Sequence, residues 1–274
     1  MTHTIRINRL LIYLILILMS IFYLIPLYVI VMTSLKTASE ATLDNIWNLP
    51  SSIDFSAYKE AFSILGPHYI NTFLLVIPAT LISSILGSLN GYVLSKWKFK
   101  GSEILFTLLL FGMFIPYQSI LIPMVTSLQK LGLYNTIPGL ILVHAFYGVP
   151  ITTLIFRNFY AGIPTSMVEA AKSDGCGILG SYYWIILPLS IPAFVVTGIW
   201  QFTSIWNDFL LAVTVTGKET QPIMVALQSL AGSQVTYWNL QMAGSILAAL
   251  PTMIVYIFLS KYFIRGMLAG SVKG

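Results

Sequence analysis

Leu10 to Met32 is a run of 23 residues without a single charged side chain. A helix of about 20 apolar residues is what the ~30 Å hydrocarbon core of a bilayer demands. Six segments of the 274-residue chain have this length and character: 10–32, 69–94, 104–126, 138–156, 183–213 and 242–260. Only 8% of the residues are charged, against about 25% in a soluble domain, so the chain cannot clothe a water-facing surface. The expected fold is an all-α membrane protein with six transmembrane helices, forming one transmembrane domain over residues 1–274.

The first run follows Arg6 and Arg9, as in a signal peptide. Signal h-regions are shorter, about 7–15 residues, and no A-x-A site follows, so the run reads as a retained span. Pro26, Pro78, Pro116, Pro123, Pro192 and Pro251 fall in or near the apolar runs. Membrane helices tolerate proline because neighbours re-satisfy the freed carbonyls. The pair Pro116 and Pro123 predicts a kinked or broken third helix.

Basic residues orient the chain. One set of loops and ends holds Arg6, Arg9, Lys96, Lys98, Lys100, Arg157, Lys172, Lys261, Arg265 and Lys273; the other holds Lys36, Lys59, Lys130 and Lys218. Ten against four puts both termini in the cytoplasm. The net charge of +5 gathers at the ends of apolar runs rather than in a basic stripe with exposed aromatics, which argues against a nucleic-acid partner. The single Cys176 permits no intrachain disulfide and reads as a small packing residue. The outer loop 34–68, with Glu40, Asp44, Asp54, Glu60, Trp47, Pro50 and Phe55, predicts a small cap or an interfacial segment.

The inner loop 160–182 carries its own helix. Ser166 and Glu169 have the spacing of a capping box, Met167, Ala170 and Ala171 fall on one face at i, i+3, i+4, and Asp174–Gly175 supply a left-handed stop. A helix resting on lipid would show large apolar residues and many Lys or Arg. Small alanines and mixed charge suit close docking to a protein.

Span five holds the most polar set, with Trp200, Gln201, Thr203, Ser204, Trp206, Asn207 and Asp208. Trp200, Thr203, Ser204, Asn207 and Leu211 follow helical spacing. Asp208 is the carboxylate set well inside a span. Its ionised form costs on the order of 3 kcal/mol there unless it faces water or a partner. It is either a hydrogen-bonding group beside a solute path or a structural ion pair or helix cap. Trp200 suits a path and Trp206 an interfacial belt. Asn71, Ser84, Ser88 and Gln118 are further candidates for a polar cavity. Gly87 and Gly91 have the spacing of close helix packing, and His144 reads as a hydrogen-bonded helix residue without metal partners. The substrate-path candidates are thus Trp200, Thr203, Ser204, Asn207, Asp208, Asn71 and Gln118.

No G-x-x-x-x-G-K-[ST], no H-E-x-x-H and no Ser–His or paired-Asp arrangement occurs, so the chain reads as a non-catalytic membrane subunit. An ion-coupled secondary transporter of a small polar solute is the alternative. Such proteins show repeats and several intramembrane ionisable groups, whereas no repeat is evident here.

The inner loop also carries a resemblance. Glu169-Ala170-Ala171, three residues, Gly175, nine residues, Ile185, one residue and Leu187-Pro188 resemble the EAA loop of binding-protein-dependent ABC importer permeases. "IPTSMVEAAKSDG", "WNDFLLA" and the tail "KYFIRGMLAGSVKG" resemble the carbohydrate-importing branch, in particular its six-helix, maltose-permease-like subunit. The resemblance implies a coupling helix seated in a cleft of a cytoplasmic ATPase. Glu169 would make a polar contact, Ala170 and Ala171 allow close packing, and Gly175 give the turn, with Asp174, Leu187 and Pro188 in the same coupling pattern. It further implies a second homologous permease subunit, two ATPase subunits holding ATP and Mg, an extracytoplasmic sugar-binding protein, and a di- or oligosaccharide cargo. The setting it implies is a bacterial cell membrane, and the C-terminal tail would reach toward the ATPases.

Overall fold

The computed structural model describes residues 2–97, 99–231 and 237–271, with side chains described for 9–97, 99–231 and 237–259. Among the described residues the chain is helical and has no strand. The long helices are α1 (Thr2–Ser34), α2 (Ser56–Lys96), α5 (Ile137–Ala161) and α12 (Trp238–Ser271). Shorter ones are α3 (Ser102–Phe111), α4 (Leu121–Lys130), α6 (Thr165–Ser173), α7 (Ile178–Ser181), α8 (Leu187–Leu189), α9 (Ile191–Trp206), α10 (Leu210–Val215) and α11 (Ile223–Ala231). Among the described residues, four unbroken helices are long and apolar enough to cross a membrane, or up to six if each of two bent pairs forms one span.

The first bent pair, Ser102–Phe114 with Tyr117–Lys130, turns by 90°. The break falls at Ile115 and Pro116, both extended (ψ 115° and 121°), because proline drives the residue before it out of the α region. Pro123 lies in the first turn of α4, where a missing N–H costs nothing. The second bend, 76° between Ile178–Leu189 and Ile191–Trp206, departs from the expected continuous span 183–213. A π-helical turn, Tyr182–Ile186, precedes it. Ser190 Oγ donates to Ile186 O (2.5 Å) at the corner and sits 2.9 Å from Tyr160 Oη. The expected span also ends early, because α9 stops at Trp206 and a fresh helix, α10, starts at Leu210.

The chain forms two compact units. One comprises residues 1–67 and 226–250. Its core joins Ala57 and Ala61 of α2 to Leu240 and Ala243 of α12. Loop 35–55 is a packed cap: fully buried Lys36 donates Nζ to Asn45 O (2.5 Å), Asn239 Nδ2 donates to Lys36 O (3.2 Å), and Glu40 accepts from Ser51 N (2.8 Å). Asp54 accepts from both Ser56 N and Ser56 Oγ, and these bonds hold its carboxyl below the ordinary value of 3.8. The apolar side chains of α1 point outward, with Leu10 and Phe22 at least 70% exposed.

The second unit comprises residues 68–225 and 251–274. Its core is Tyr92, Phe156, Tyr160, Val168, Tyr182, Ile186 and Ala193. The Gly87/Gly91 spacing does mark close packing: a Cβ on Gly91 would meet Arg157 N at 2.7 Å and Phe156 Cβ at 2.8 Å. Thr152 Oγ1 donates across the same seam to Ser83 O (2.9 Å). Arg157 Nη2 then donates to both carboxylate oxygens of Glu103 (2.7 and 2.8 Å), and the guanidinium lies over the Phe106 ring. Val272–Gly274, the end of the tail assigned an ATPase contact by resemblance, lie outside the described residues.

Candidate functional site

Helix α6 is built to present one face and bury the other. Pro164, with ψ 130°, occupies the N-cap position, so Ser166 falls inside the helix and the expected Ser166–Glu169 capping box does not form. At the other end Cys176 N donates to Ala171 O (2.9 Å) and Gly175 N to Lys172 O (3.0 Å). These two bonds make a Schellman stop, and Gly175 holds φ +84° as that stop requires. Val168 and Ala171 are buried against the core of their own chain. The expected common face of Met167, Ala170 and Ala171 is therefore split, because burying Val168 turns Ala171 inward with it. Met167, Glu169, Ala170, Ser173 and Asp174 remain exposed.

The C-terminal end of α2 holds this helix. Lys172 Nζ lies 3.8 Å above the Trp97 ring, Trp97 Nε1 donates to Tyr92 Oη (2.5 Å), and Tyr92 Oη donates to Ile178 O (3.1 Å). Lys96 Nζ donates to Ile163 O. Deeper in, Ser88 Oγ lies 2.6 Å from Tyr160 Oη and 2.7 Å from Tyr182 Oη. Ser88 thus belongs to a buried tyrosine knot rather than to a polar cavity. Leu187 and Pro188 line a separate apolar groove of about 710 Å³ with Tyr183, Trp184 and Phe194.

A second concavity, about 500 Å³, opens beside the broken end of α9. Trp200, Ser204, Asn207 and Asp208 lie on its wall, joined by Tyr117, His144, Tyr147 and Gln201. Trp200 is 52% exposed, which leaves its ring free toward the cavity. Gln201 is buried and donates to Ser83 Oγ (2.9 Å). Gly148 makes room for it, since a Cβ there would strike Gln201 Nε2. Thr203 lies off the wall, and its carbonyl accepts from Asn207 Nδ2 (2.9 Å). Asn71 Nδ2 ties α2 to Glu219 O (2.9 Å) and Gln221 O (3.3 Å), away from the cavity. Gln118 is exposed beside the lining Tyr117.

Asp208 takes a structural place on this wall. Its carboxylate accepts from Ala212 N (2.9 Å) and Leu211 N (3.4 Å) in the first turn of α10. His144 Nε2 stands 3.4 Å from Asp208 Oδ2. That is within ion-pair reach but outside hydrogen-bond geometry, and Nε2 has no hydrogen-bond partner among the described residues. The hydrogen bond expected of His144 is therefore not made by Nε2. Tyr147 Oη is the other unpartnered buried polar atom on this wall. Trp206, expected in an interfacial belt, is instead buried, with Phe73 at 5.2 Å and Phe202 stacked at 5.5 Å. The sequence reading missed Tyr117, Tyr147 and Gln201 as wall residues. The spacing of His144 and Tyr147, i and i+3 on one helix face, was the available signal.

Comparison with known proteins adds independent findings. The family described as binding-protein-dependent transport system inner membrane component matches residues 79–269. The chain is 47% identical, over 97% of its length and 98% of the relative's, to a probable ABC transporter permease protein of Pyrococcus horikoshii. It is 32% identical to the glucose import system permease protein GlcU of Saccharolobus solfataricus, covering 96% of this chain and 95% of that one. To the xylose/arabinose import permease protein XacI of Haloferax volcanii it is 33% identical, over 90% and 87% of the two chains. A chain in the crystal structure of a bacterial ABC transporter importing the acidic polysaccharide alginate superimposes with a TM-score of 0.79 at 25% identity, over 93% of this chain and 97% of that one.

Proposed function

This chain belongs to the binding-protein-dependent transport system inner membrane components, and we propose that it is the permease subunit of an ATP-driven importer carrying a neutral sugar into the cytoplasm. It is a multi-pass membrane protein, and its motor is a pair of separate ATPase chains that hold ATP and Mg. A second, homologous permease completes the path, and an extracytoplasmic binding protein delivers the sugar. The observation that carries this reading is α6. It is a nine-residue helix with its inner face packed into the membrane-spanning core and Glu169, Ala170 and Asp174 left uncovered. Closure of the ATPases displaces α6, and the spanning helices follow, alternating between outward and inward access.

The cavity supports the cargo class. Its wall offers an exposed indole face, hydroxyl and amide groups, and the unpartnered His144 Nε2 and Tyr147 Oη. Flat aromatic faces and a few fixed polar groups are what a polyhydroxylated ring requires. The wall carries one carboxylate and no Lys or Arg, which suits an uncharged sugar, a di- or oligosaccharide, over an acidic or phosphorylated one.

The test is cysteine crosslinking from an Ala170→Cys variant to the ATPase in the assembled complex, paired with uptake of labelled neutral and acidic sugars by cells lacking the chain. Crosslinking and loss of neutral-sugar uptake are expected. No crosslink from any exposed α6 position would overturn the coupling role. An ion-coupled transporter is the second reading, because His144 and Asp208 form an intramembrane titratable pair. In proteoliposomes supplied with ATP, it requires uptake to stop when an ionophore collapses the gradient.

A further inference from the structure

Helix α6 is gripped from one place. Residues 92–97, the last turn of α2 and the residue after it, touch the chain on three sides of α6. Lys96 Nζ reaches Ile163 O just before the helix, Trp97 takes the Lys172 ammonium on its last turn, and Tyr92 Oη holds Ile178 O just beyond the stop. The Trp97 Nε1 bond to Tyr92 Oη joins two of these contacts into one chain. Apolar packing is non-directional, so the Val168–Ala171 face alone leaves α6 free to roll or slide. Directional contacts before the helix, on its last turn and beyond its stop remove that freedom.

We propose that Trp97 and Lys172 are positioning residues for energy coupling: their contact clamps α6 to the cytoplasmic end of α2, so that displacement of α6 is delivered to α2 without slack. This rests on the reading of α6 as the ATPase-docking helix. The middle contact is the adjustable one. Lys172 is exposed and its stem spans the gap from α6, while the indole is half-buried and fixed by its own Nε1 bond. An ammonium over an indole face is held by the ring quadrupole. Arginine can take that place and glutamine cannot.

The test uses the assembled transporter with Cys176→Ser and nitroxide labels at Ser173→Cys on α6 and Ile85→Cys on α2, both exposed positions. Pulsed electron–electron resonance reads the α6–α2 distance with no nucleotide and with ATP–vanadate trapped on the ATPases. The native clamp gives one narrow distance, unchanged between the two states. Lys172→Gln raises the population of displaced distances roughly two- to fivefold, Trp97→Ala raises it further, and Lys172→Arg restores the narrow distribution. A distribution that stays narrow in Lys172→Gln and Trp97→Ala overturns the clamp. Should Trp97→Ala fail to assemble, the exposed Lys172 variants decide alone. Loss of the Ala170→Cys crosslink in the native background would instead sink the docking reading and leave the distance measurement standing.

Discussion

Replacing Asp208 separates the two jobs this carboxylate holds. It accepts a 2.9 Å bond from Ala212 N and a 3.4 Å bond from Leu211 N, and it stands 3.4 Å from His144 Nε2. Ala212 is fully buried and Leu211 nearly so, so water cannot replace the lost acceptor. Leaving one such N–H unmet costs about 1–3 kcal/mol, and losing a helix-starting acceptor costs about 1 kcal/mol by cap substitutions. Asp208→Ala should therefore destabilise the protein by about 1–3 kcal/mol. Asp208→Asn keeps a carbonyl oxygen for the 2.9 Å bond from Ala212 N and gives up the long 3.4 Å bond from Leu211 N together with the charge facing His144, a loss of about 1 kcal/mol or less, because neither is a well-formed hydrogen bond. Denaturant titration of the purified protein in detergent measures both losses. If Asp208→Asn loses as much stability as Asp208→Ala, the charge toward His144, not the bonds to α10, dominates. If Asp208→Ala loses nothing, the account of α10's start is wrong.

Three further perturbations follow from the geometry. Gly175 has nothing within 4 Å of a built Cβ but holds φ +84°, so its substitution is limited by backbone conformation alone: Gly175→Val should stop uptake while the complex still assembles, whereas Gly175→Asn, at ease in the left-handed region, should keep most of it. Gly91→Val must push against Arg157 N and Phe156 Cβ, which are backbone and near-backbone atoms. Overpacking of this kind costs about 1–3 kcal/mol, read as a lowered Tm in detergent. The depressed carboxyl of Asp54 contributes stability that is complete above the unfolded value near 3.8 and lost as pH falls through its lower folded value. Asp54→Asn should flatten acid unfolding in that window, measured by midpoint against pH.

The sequence disclosed what is written locally in the backbone. Pro116 constrains the residue before it whatever surrounds it, so the broken third helix could be foreseen, and Gly175 likewise announces a left-handed stop. The bend at Ser190 is flanked by Pro188 and Pro192, which permit a break there without fixing where the corner falls. Its corner bond to Ile186 is one turn away, but its neighbour Tyr160, thirty positions earlier, is a tertiary fact that no local pattern announces. The capping box failed because Pro164, two residues upstream of Ser166, had already taken the entry to the helix. On the cavity, α9 and the residues following it supplied Trp200, Ser204, Asn207 and Asp208, which one helical pattern could group. Tyr117 and His144 arrive from other helices, and no periodicity within a single segment can bring them together.

The enclosure of Lys36 bears on how the orientation of the chain is mapped. Of the four lysines assigned to the outer face, Lys59, Lys130 and Lys218 are exposed, while Lys36 has no accessible surface. With those loops outside, a membrane-impermeant amine reagent added to intact cells tags the first three and passes over the fourth. Silence at position 36 then reports a shielded amine and carries no information about the side on which the first loop lies.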